Sequence, residues 1–311
     1  MSAVTELEQG ARTVADRAGP AVVRIGRDAR GSGVVVAPGQ VLTNAHNLRD
    51  RTTSVTFADG RSVQGAVAGV DADGDLAVIE VDTADVSPVA WGGPEAVSTG
   101  SVVYAAARGH AGLRVTFGLV TGTEQSFRGP RGRRIRGSIE HTAPLARGSS
   151  GGPVLDGEGR LLALNTRRLG DGFYQAIPAD QDLRTRVEAL AAGTSPSRPR
   201  LGVAVAPPEV ARRLRRAVGL DDRDGLLLRS VRPDGPAARA GLRTGDLLVS
   251  AAGRPLADAD ALYEVLDGVP DDGTLDLQVV RGSEELAVTV TFAEAPAPSP
   301  EPEPEEPSAE G

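Results

Sequence analysis

From position 21 onward, short runs of Val, Ile and Leu alternate with Gly, Asp and Pro, at roughly the 8–12-residue spacing of an all-β sandwich or barrel. The pattern predicts strands at 22–25, 33–36, 41–42, 54–57, 63–67, 76–81, 102–107, 115–121 and 135–141. A hairpin is predicted over 154–165, turning at Asp156, Gly157, Glu158 and Gly159. Ahead of the strands, Val4, Leu7, Ala11 and Val14 recur at helical spacing until Gly19 and Pro20 end the helix. A helix over 180–192 closes this first region, 1–192, which is mainly β.

Residues 193–199 mix Gly, Ser and Pro without periodicity and read as a linker. Beyond them the pattern changes. Strands are predicted at 201–205, 226–231, 246–251, 275–280 and 286–292, with helices at 208–218, 236–240 and 259–266. That is a compact α+β module over 200–292. Residues 293–311 are dominated by Ala, Pro and Glu and bury too little apolar surface to offset chain entropy, so a disordered acidic tail is expected. There is no internal repeat.

Composition narrows the function. With 40% apolar and 24% charged residues the chain is ordinary globular material. The absence of cysteine excludes a disulfide framework, cysteine-ligated zinc, an iron–sulfur site and a cysteine nucleophile. No apolar run reaches the ~18 residues of a membrane-spanning helix. The first ten residues are acidic, with neither a basic start nor an apolar segment, so a cytoplasmic chain is expected. Of the net charge of −8, six carboxylates lie in the last 19 positions, leaving the body near −2. Every basic residue is arginine, and the cluster Arg128, Arg131, Arg133, Arg134 and Arg136 sits among glycines with Phe127 as its one aromatic neighbour. It reads as a solvated loop rather than a nucleic-acid site. Asp71, Asp73 and Asp75 alternate as in a calcium loop, but Leu76 stands where that loop needs glycine and Asp82 where it needs glutamate, so no metal site is expected. No cofactor is expected either.

The chemistry concentrates in Arg147-Gly148-Ser149-Ser150-Gly151-Gly152-Pro153. Glycines on both sides of a serine allow a tight turn that exposes the hydroxyl and aims successive N–H groups into one concavity. Ser150 then needs a base, and the chain has three histidines, His46, His110 and His141. His46 follows an apolar strand, His110 lies in a Gly-flanked loop and His141 ends an arginine-rich segment. A carboxylate must orient the imidazole, and Asp75 opens the apolar strand 75–79. Gly148-x-Ser150-x-Gly152 also fits the elbow of α/β-hydrolases, but those place histidine after serine, and none follows Ser150. The order His46, Asp75, Ser150 is that of the chymotrypsin arrangement.

Taken together, Thr43-Asn44-Ala45-His46, Asp75-Leu76-Ala77-Val78 and Gly148-Ser149-Ser150-Gly151-Gly152-Pro153 resemble the HtrA (DegP-type) trypsin-like serine proteases. Ala176-Ile177-Pro178 matches that family too. In the second region, Leu201-Gly202-Val203, Gly225-Leu226-Leu227-Leu228, Pro236 to Leu242, Gly245-Asp246 and Ala252-Gly253 resemble a bacterial PDZ domain. The resemblance implies a chymotrypsin-like double β-barrel followed by a small α+β PDZ domain. It implies Ser150 as nucleophile, His46 as general base and acid, Asp75 as orienter, and the N–H groups of Gly148 and Ser150 as oxyanion hole. Leu145 and Phe173 match positions lining the primary specificity pocket, which implies aliphatic rather than basic substrate side chains. Leu201, Gly202 and Val203 are implied to hold a peptide's C-terminal carboxylate, with Leu262 and Leu266 as groove or core residues.

The resemblance therefore implies an endopeptidase acting on unfolded or flexible polypeptides, tuned by C-terminal peptides at the PDZ domain. Three departures stand out. Ser149 replaces the family's asparagine, Tyr174 and Gln175 replace glycine and phenylalanine, and the first aromatic is Phe57, which sets this chain apart from the family's aromatic-based trimers and leaves a homo-oligomer open. The altered 172–175 segment motivates a second reading, a catalytically inert peptide-binding or chaperone-like module.

Overall fold

The computed structural model describes residues 2–93, 97–129, 134–196 and 199–293. The chain forms two compact units, the first ending at Pro196.

The first unit opens with helix α1 (Ala3–Arg17), capped by Ser2, whose Oγ accepts the Thr5 N–H at 3.3 Å. Strands β1 (Val22–Ile25), β2 (Gly31–Ala37), β3 (Gln40–Thr43), β4 (Thr52–Thr56), β5 (Ser62–Asp71) and β6 (Leu76–Glu80) close a barrel in the order β1-β2-β3-β6-β5-β4. A second barrel comprises β7 (Val102–Gly109), β8 (Gly112–Arg128), β9 (Arg134–His141), β10 (Pro153–Leu155), β11 (Leu161–Gly170) and β12 (Phe173–Pro178), in the order β10-β11-β12-β9-β8-β7. Closure removes sheet edges from both barrels. Helix α2 (Gln181–Ala191), N-capped by the Asp180 carboxylate, lies on β5 and β6. Arg108 of β7 is buried and donates to Val22 O at 2.6 Å and Gly19 O at 2.8 Å, tying the second barrel to the start of the first.

Strands β2, β6 and β10 are buried at nearly every position, which is why they read as continuous apolar runs rather than alternation. β12 was not among the predicted strands. Its Phe-Tyr-Gln-Ala start mixes large, polar and small residues, and pairing with β9 and β11 makes it a strand. β8 runs well past its predicted 115–121 because its long hairpin with β9 continues the ladder. Within the arginine cluster, Arg128 and Arg134 are cross-strand partners, whereas Arg131 and Arg133 lie outside the described residues.

The second unit contains β13 (Val203–Ala206), α3 (Pro208–Ala217), β14 (Leu226–Val231), α4 (Pro236–Arg239), β15 (Leu247–Ala251), β16 (Arg254–Pro255), α5 (Ala259–Asp267), β17 (Thr274–Arg281) and β18 (Glu284–Thr291). The sheet order is β13-β14-β15-β17-β18, with β16 on β15, so β13 is an edge strand. Leu262 and Leu266 of α5 are buried with Leu226, Leu228, Leu275 and Val290, so both belong to the core. Asp258 caps α5 through the Ala261 N–H at 2.9 Å. Buried Asp246 takes a two-point bond from Arg281, at 2.8 and 2.7 Å. The expected tail lies outside the described residues from 294 onward.

Candidate active site

His46 sits on a single 3-10 turn, Ala45–Asn47, directly after β3. Three neighbours in the Thr-Asn-Ala-His-Asn run fix that turn. Asn44 is fully buried and its Nδ2 donates to Asp75 O at 3.0 Å. Thr43 Oγ1 donates to Ser32 O at 2.7 Å, and Asn47 Nδ2 donates to Thr43 Oγ1 at 3.0 Å and to Ser150 O at 2.9 Å.

Asp75 ends a tight turn between β5 and β6 and adopts φ +56, a left-handed conformation that Asp tolerates better than most residues. The turn is built on Asp71, whose buried carboxylate accepts the Gly74 N–H at 2.8 Å and pairs with Arg186 of α2 at 2.6 Å. Gly74 permits that approach, since a Cβ there would stand 1.8 Å from the Arg186 guanidinium. Asp71 and Asp75 of the acidic alternation are thus engaged with these partners and with His46.

The Asp75 carboxylate is 1% exposed and fully spoken for. Oδ1 accepts the His46 backbone N–H at 3.1 Å, and both oxygens lie within 2.9 Å of His46 Nδ1. Thr166 Oγ1 donates to Oδ2 at 2.6 Å. Held this way, Nδ1 carries the proton and the other ring nitrogen is free to act as a base. The His46 side chain remains 36% exposed. An open pocket of about 280 Å³ lies against it, lined by Leu48, Val70 and Ala72 and by Arg49 and Asp50.

Ser150 is half-buried in its Gly-rich loop. Its carbonyl accepts from Ser32 N–H at 2.8 Å as well as from Asn47, and Gly148 O accepts from Ser32 Oγ at 3.1 Å. The serine loop is therefore pinned by the first barrel. From the second barrel, Asn165 O accepts the Gly151 N–H at 2.7 Å. Gly148 has φ +83, and a Cβ there would meet Ala29 O at 2.5 Å, so only glycine lets the loop lie this close.

Ser150 Oγ donates to Thr166 O at 3.2 Å. Among the described residues no hydrogen bond joins Ser150 Oγ to His46. Thr166 links the three groups instead, taking the Ser150 hydroxyl on its carbonyl and giving its own hydroxyl to Asp75. Neither Thr166 nor Asn47 nor Ser32 is legible as a site residue in the sequence. All three are ordinary polar residues that bond largely to backbone groups of the site, and no spacing rule singles them out.

The other histidines lie elsewhere. His110 is an exposed partner of Arg24. His141 is fully buried, with Nε2 and Asn165 Oδ1 2.8 Å apart and Nδ1 accepting the Ala143 N–H at 3.2 Å. Burial holds its pKa below the usual histidine value of 6.5. Of the expected pocket residues, Leu145 is half-buried and Phe173 is 37% exposed. In the second unit, Leu201 is buried with its carbonyl accepting the Ala237 N–H at 3.0 Å, Gly202 has φ +76, and Val203 begins the edge strand.

Two closed barrels with a buried aspartate on a histidine beside a Gly-flanked serine define a chymotrypsin-type peptidase body, and the second unit has a PDZ-like sheet and helices. Family models agree: residues 31–164 match a trypsin-like peptidase domain and residues 228–281 a PDZ domain. A relative from Synechocystis, named as the serine protease HhoA, is 33% identical over 279 residues, covering 84% of this chain and 70% of its own length. A protein of Halomonas elongata named as a DegP-like periplasmic serine endoprotease is 31% identical over 274 residues, 85% of this chain and 56% of its own. The chain thus spans little more than half of the Halomonas relative. Among solved structures, the HtrA-type protease AlgW with a decapeptide superposes with a TM-score of 0.68 at 24% identity, covering 93% of this chain and 99% of that one, a likeness of fold. The chain belongs to the HtrA-type serine proteases with a C-terminal PDZ domain.

The cytoplasmic expectation is corrected. The Halomonas relative and relatives from Pseudomonas savastanoi and Rickettsia conorii all carry periplasmic names, which points to the cell envelope. The expectation rests on the acidity of the first ten residues. Most of those form α1, a helix mostly exposed to water, so their charge reports a solvated face and not a compartment. No helix among the described residues is long and apolar enough to cross a membrane.

Proposed function

We propose that this chain hydrolyses peptide bonds in unfolded or flexible polypeptides through His46, Asp75 and Ser150. The observation that carries the reading is the buried Asp75 carboxylate on His46 Nδ1, joined through Thr166 to the Ser150 hydroxyl. For the reaction the Ser150 hydroxyl leaves Thr166 O and turns to the imidazole, a tightening of the kind that accompanies substrate binding. Ser150 Oγ then attacks the scissile carbonyl carbon while the unprotonated ring nitrogen of His46 takes its proton. The oxyanion forms against the N–H groups of Gly148 and Ser150, donors of a kind worth ~10²–10³ in turnover each. Collapse breaks the C–N bond and His46 gives the proton to the leaving amine; water, deprotonated by His46, then attacks the acyl carbon, and as the bond to Ser150 Oγ breaks His46 returns that proton to the serine. Asp75 stays ionised and stabilises the imidazolium.

The peptidase body is read as 1–192, the linker as 193–199 and the PDZ domain as 200–292. In the PDZ domain, the N–H groups of Leu201, Gly202 and Val203 receive a peptide's terminal carboxylate while the peptide adds a strand to β13. Occupancy of that groove tunes the peptidase.

A fluorophosphonate probe tests the catalytic reading. Labelling of the wild-type chain that disappears in Ser150→Ala is expected, together with cleavage of an unfolded protein substrate. Absence of labelling across about pH 6–9, with and without C-terminal peptides, would leave only a peptide-binding module.

A further inference from the structure

The 173–175 segment has a definite job in the fold. In β12, Tyr174 pairs with Arg168 of β11 on one side and His141 of β9 on the other. Strand alternation sends Phe173 and Tyr174 to opposite faces. Phe173 accordingly lies 37% exposed, whereas Tyr174 is only 6% exposed. The Tyr174 ring stacks on His141 with centroids 5.7 Å apart and planes at 22°, and its hydroxyl donates to Leu145 O at 3.2 Å.

Those partners locate the ring relative to the nucleophile. Leu145 lies five residues before Ser150, on the segment that delivers the serine loop. Arg168 lies two residues beyond Thr166, whose carbonyl takes the Ser150 hydroxyl. The phenol therefore reaches from β12, which pairs with the strand bearing Thr166, to the 142–147 segment that leads into the serine loop. His141, with no exposed surface, backs the ring and is itself bonded to Asn165, whose carbonyl holds Gly151.

We propose that Tyr174 is a specificity-determining residue, a crossbar closing the slot that receives the substrate side chain on the acyl side of the scissile bond. This rests on Ser150 as the nucleophile. The slot then takes glycine, alanine or a side chain of similar size. A leucine or phenylalanine side chain has to displace the phenol, which breaks the bond to Leu145 O, unstacks His141 and opens a buried imidazole to the cleft. Leu145 still forms a wall, and the aliphatic preference expected from Leu145 and Phe173 narrows to its smallest members.

The test is a set of quenched peptides differing only at that position, with Gly, Ala, Val, Leu or Phe, read as kcat/KM for wild type, Tyr174→Phe and Tyr174→Gly. Each rate is divided by the active fraction titrated with a fluorophosphonate. Wild type is expected to prefer Ala over Leu by about 10²-fold, the upper range for a steric pocket. Tyr174→Phe keeps ring and stack and keeps that order, while Tyr174→Gly raises Leu relative to Ala by ~10–10²-fold. Wild type cleaving Leu or Phe peptides as fast as the Ala peptide overturns the proposal, even if Tyr174→Gly does not fold. So does a fully labelled Tyr174→Gly with the wild-type order. A wild-type chain that takes no probe sinks the Ser150 reading, and the proposal falls with it; labelling with an unchanged order sinks the proposal alone.

Discussion

The two sides of the candidate site are held by different forces. On the acid side, Asp75 is positioned by charge: the turn beneath it is braced by the Asp71–Arg186 ion pair, and its own carboxylate collects bonds from His46 and Thr166. On the nucleophile side the bonds are neutral. Ser32, Asn47 and Asn165 hold the serine loop through backbone carbonyls and amides, and Tyr174 and His141 support the adjoining wall by stacking and single hydrogen bonds. A charged anchor fixes a group that must stay ionised and still. Neutral anchors leave the nucleophile's hydroxyl free to change partners, as the Ser150–Thr166 bond requires. The acid side should therefore be all-or-none under mutation, and the nucleophile side graded.

The largest effect tests the acid side. Asp75→Asn keeps the shape but presents an amide to His46 Nδ1, favouring the wrong tautomer; turnover should fall by about 10⁴ with little change in folding. Activity within a few-fold of wild type would mean that another group orients His46. Next comes the brace. Arg186→Met keeps an apolar stem against β5 and β6 but takes the guanidinium away from the Asp71 carboxylate, which is 1% exposed. With Arg186 itself 26% exposed, the loss should be about 1–3 kcal/mol, seen as a Tm drop of several degrees, and Asp71→Asn in the same chain should recover part of it. A single variant as stable as wild type would show that the turn holds without its ion pair.

How much of this is legible in the sequence follows the same division. Strand positions show through because β-branched residues recur between Gly, Asp and Pro punctuation, and the His46, Asp75 and Ser150 motifs show through because their chemistry demands particular side chains in a particular chain order. Thr166, Asn47 and Ser32 do not, because a threonine that lends its carbonyl to one group and its hydroxyl to another looks like any strand threonine. β12 does not show through for a related reason: Tyr174 and Gln175 break the apolar run, and only the partners on β9 and β11 reveal the strand. The separation of Phe173 from Tyr174 is a matter of which face a residue takes, and register supplies that where the motif does not.

The smallest effect probes the neutral side through His141. Its Nδ1 accepts the Ala143 N–H, so Nε2 carries the proton and donates to Asn165 Oδ1; the ring is bound as the uncharged form. Tyr174 is stacked on its face with Arg168 beyond that ring; burial outweighs the Asn165 bond and the Glu140 charge, both of which favour protonation, and keeps the pKa below 6.5. The unfolded chain takes up this proton near 6.5 and the folded chain only at lower pH. His141 therefore contributes full stability above about 6.5 and loses it as pH falls toward the lowered folded value, with a slope of at most ~1.4 kcal/mol per pH unit. His141→Gln retains a donor for Asn165 and does not titrate. Denaturant midpoints measured from pH 7.5 to about 5 should show the wild type losing ground on this variant as the pH drops. A wild-type advantage that stays constant over that range would mean that the folded chain tolerates a charged His141, and that the neutral side of the site is not bound by an uncharged ring after all.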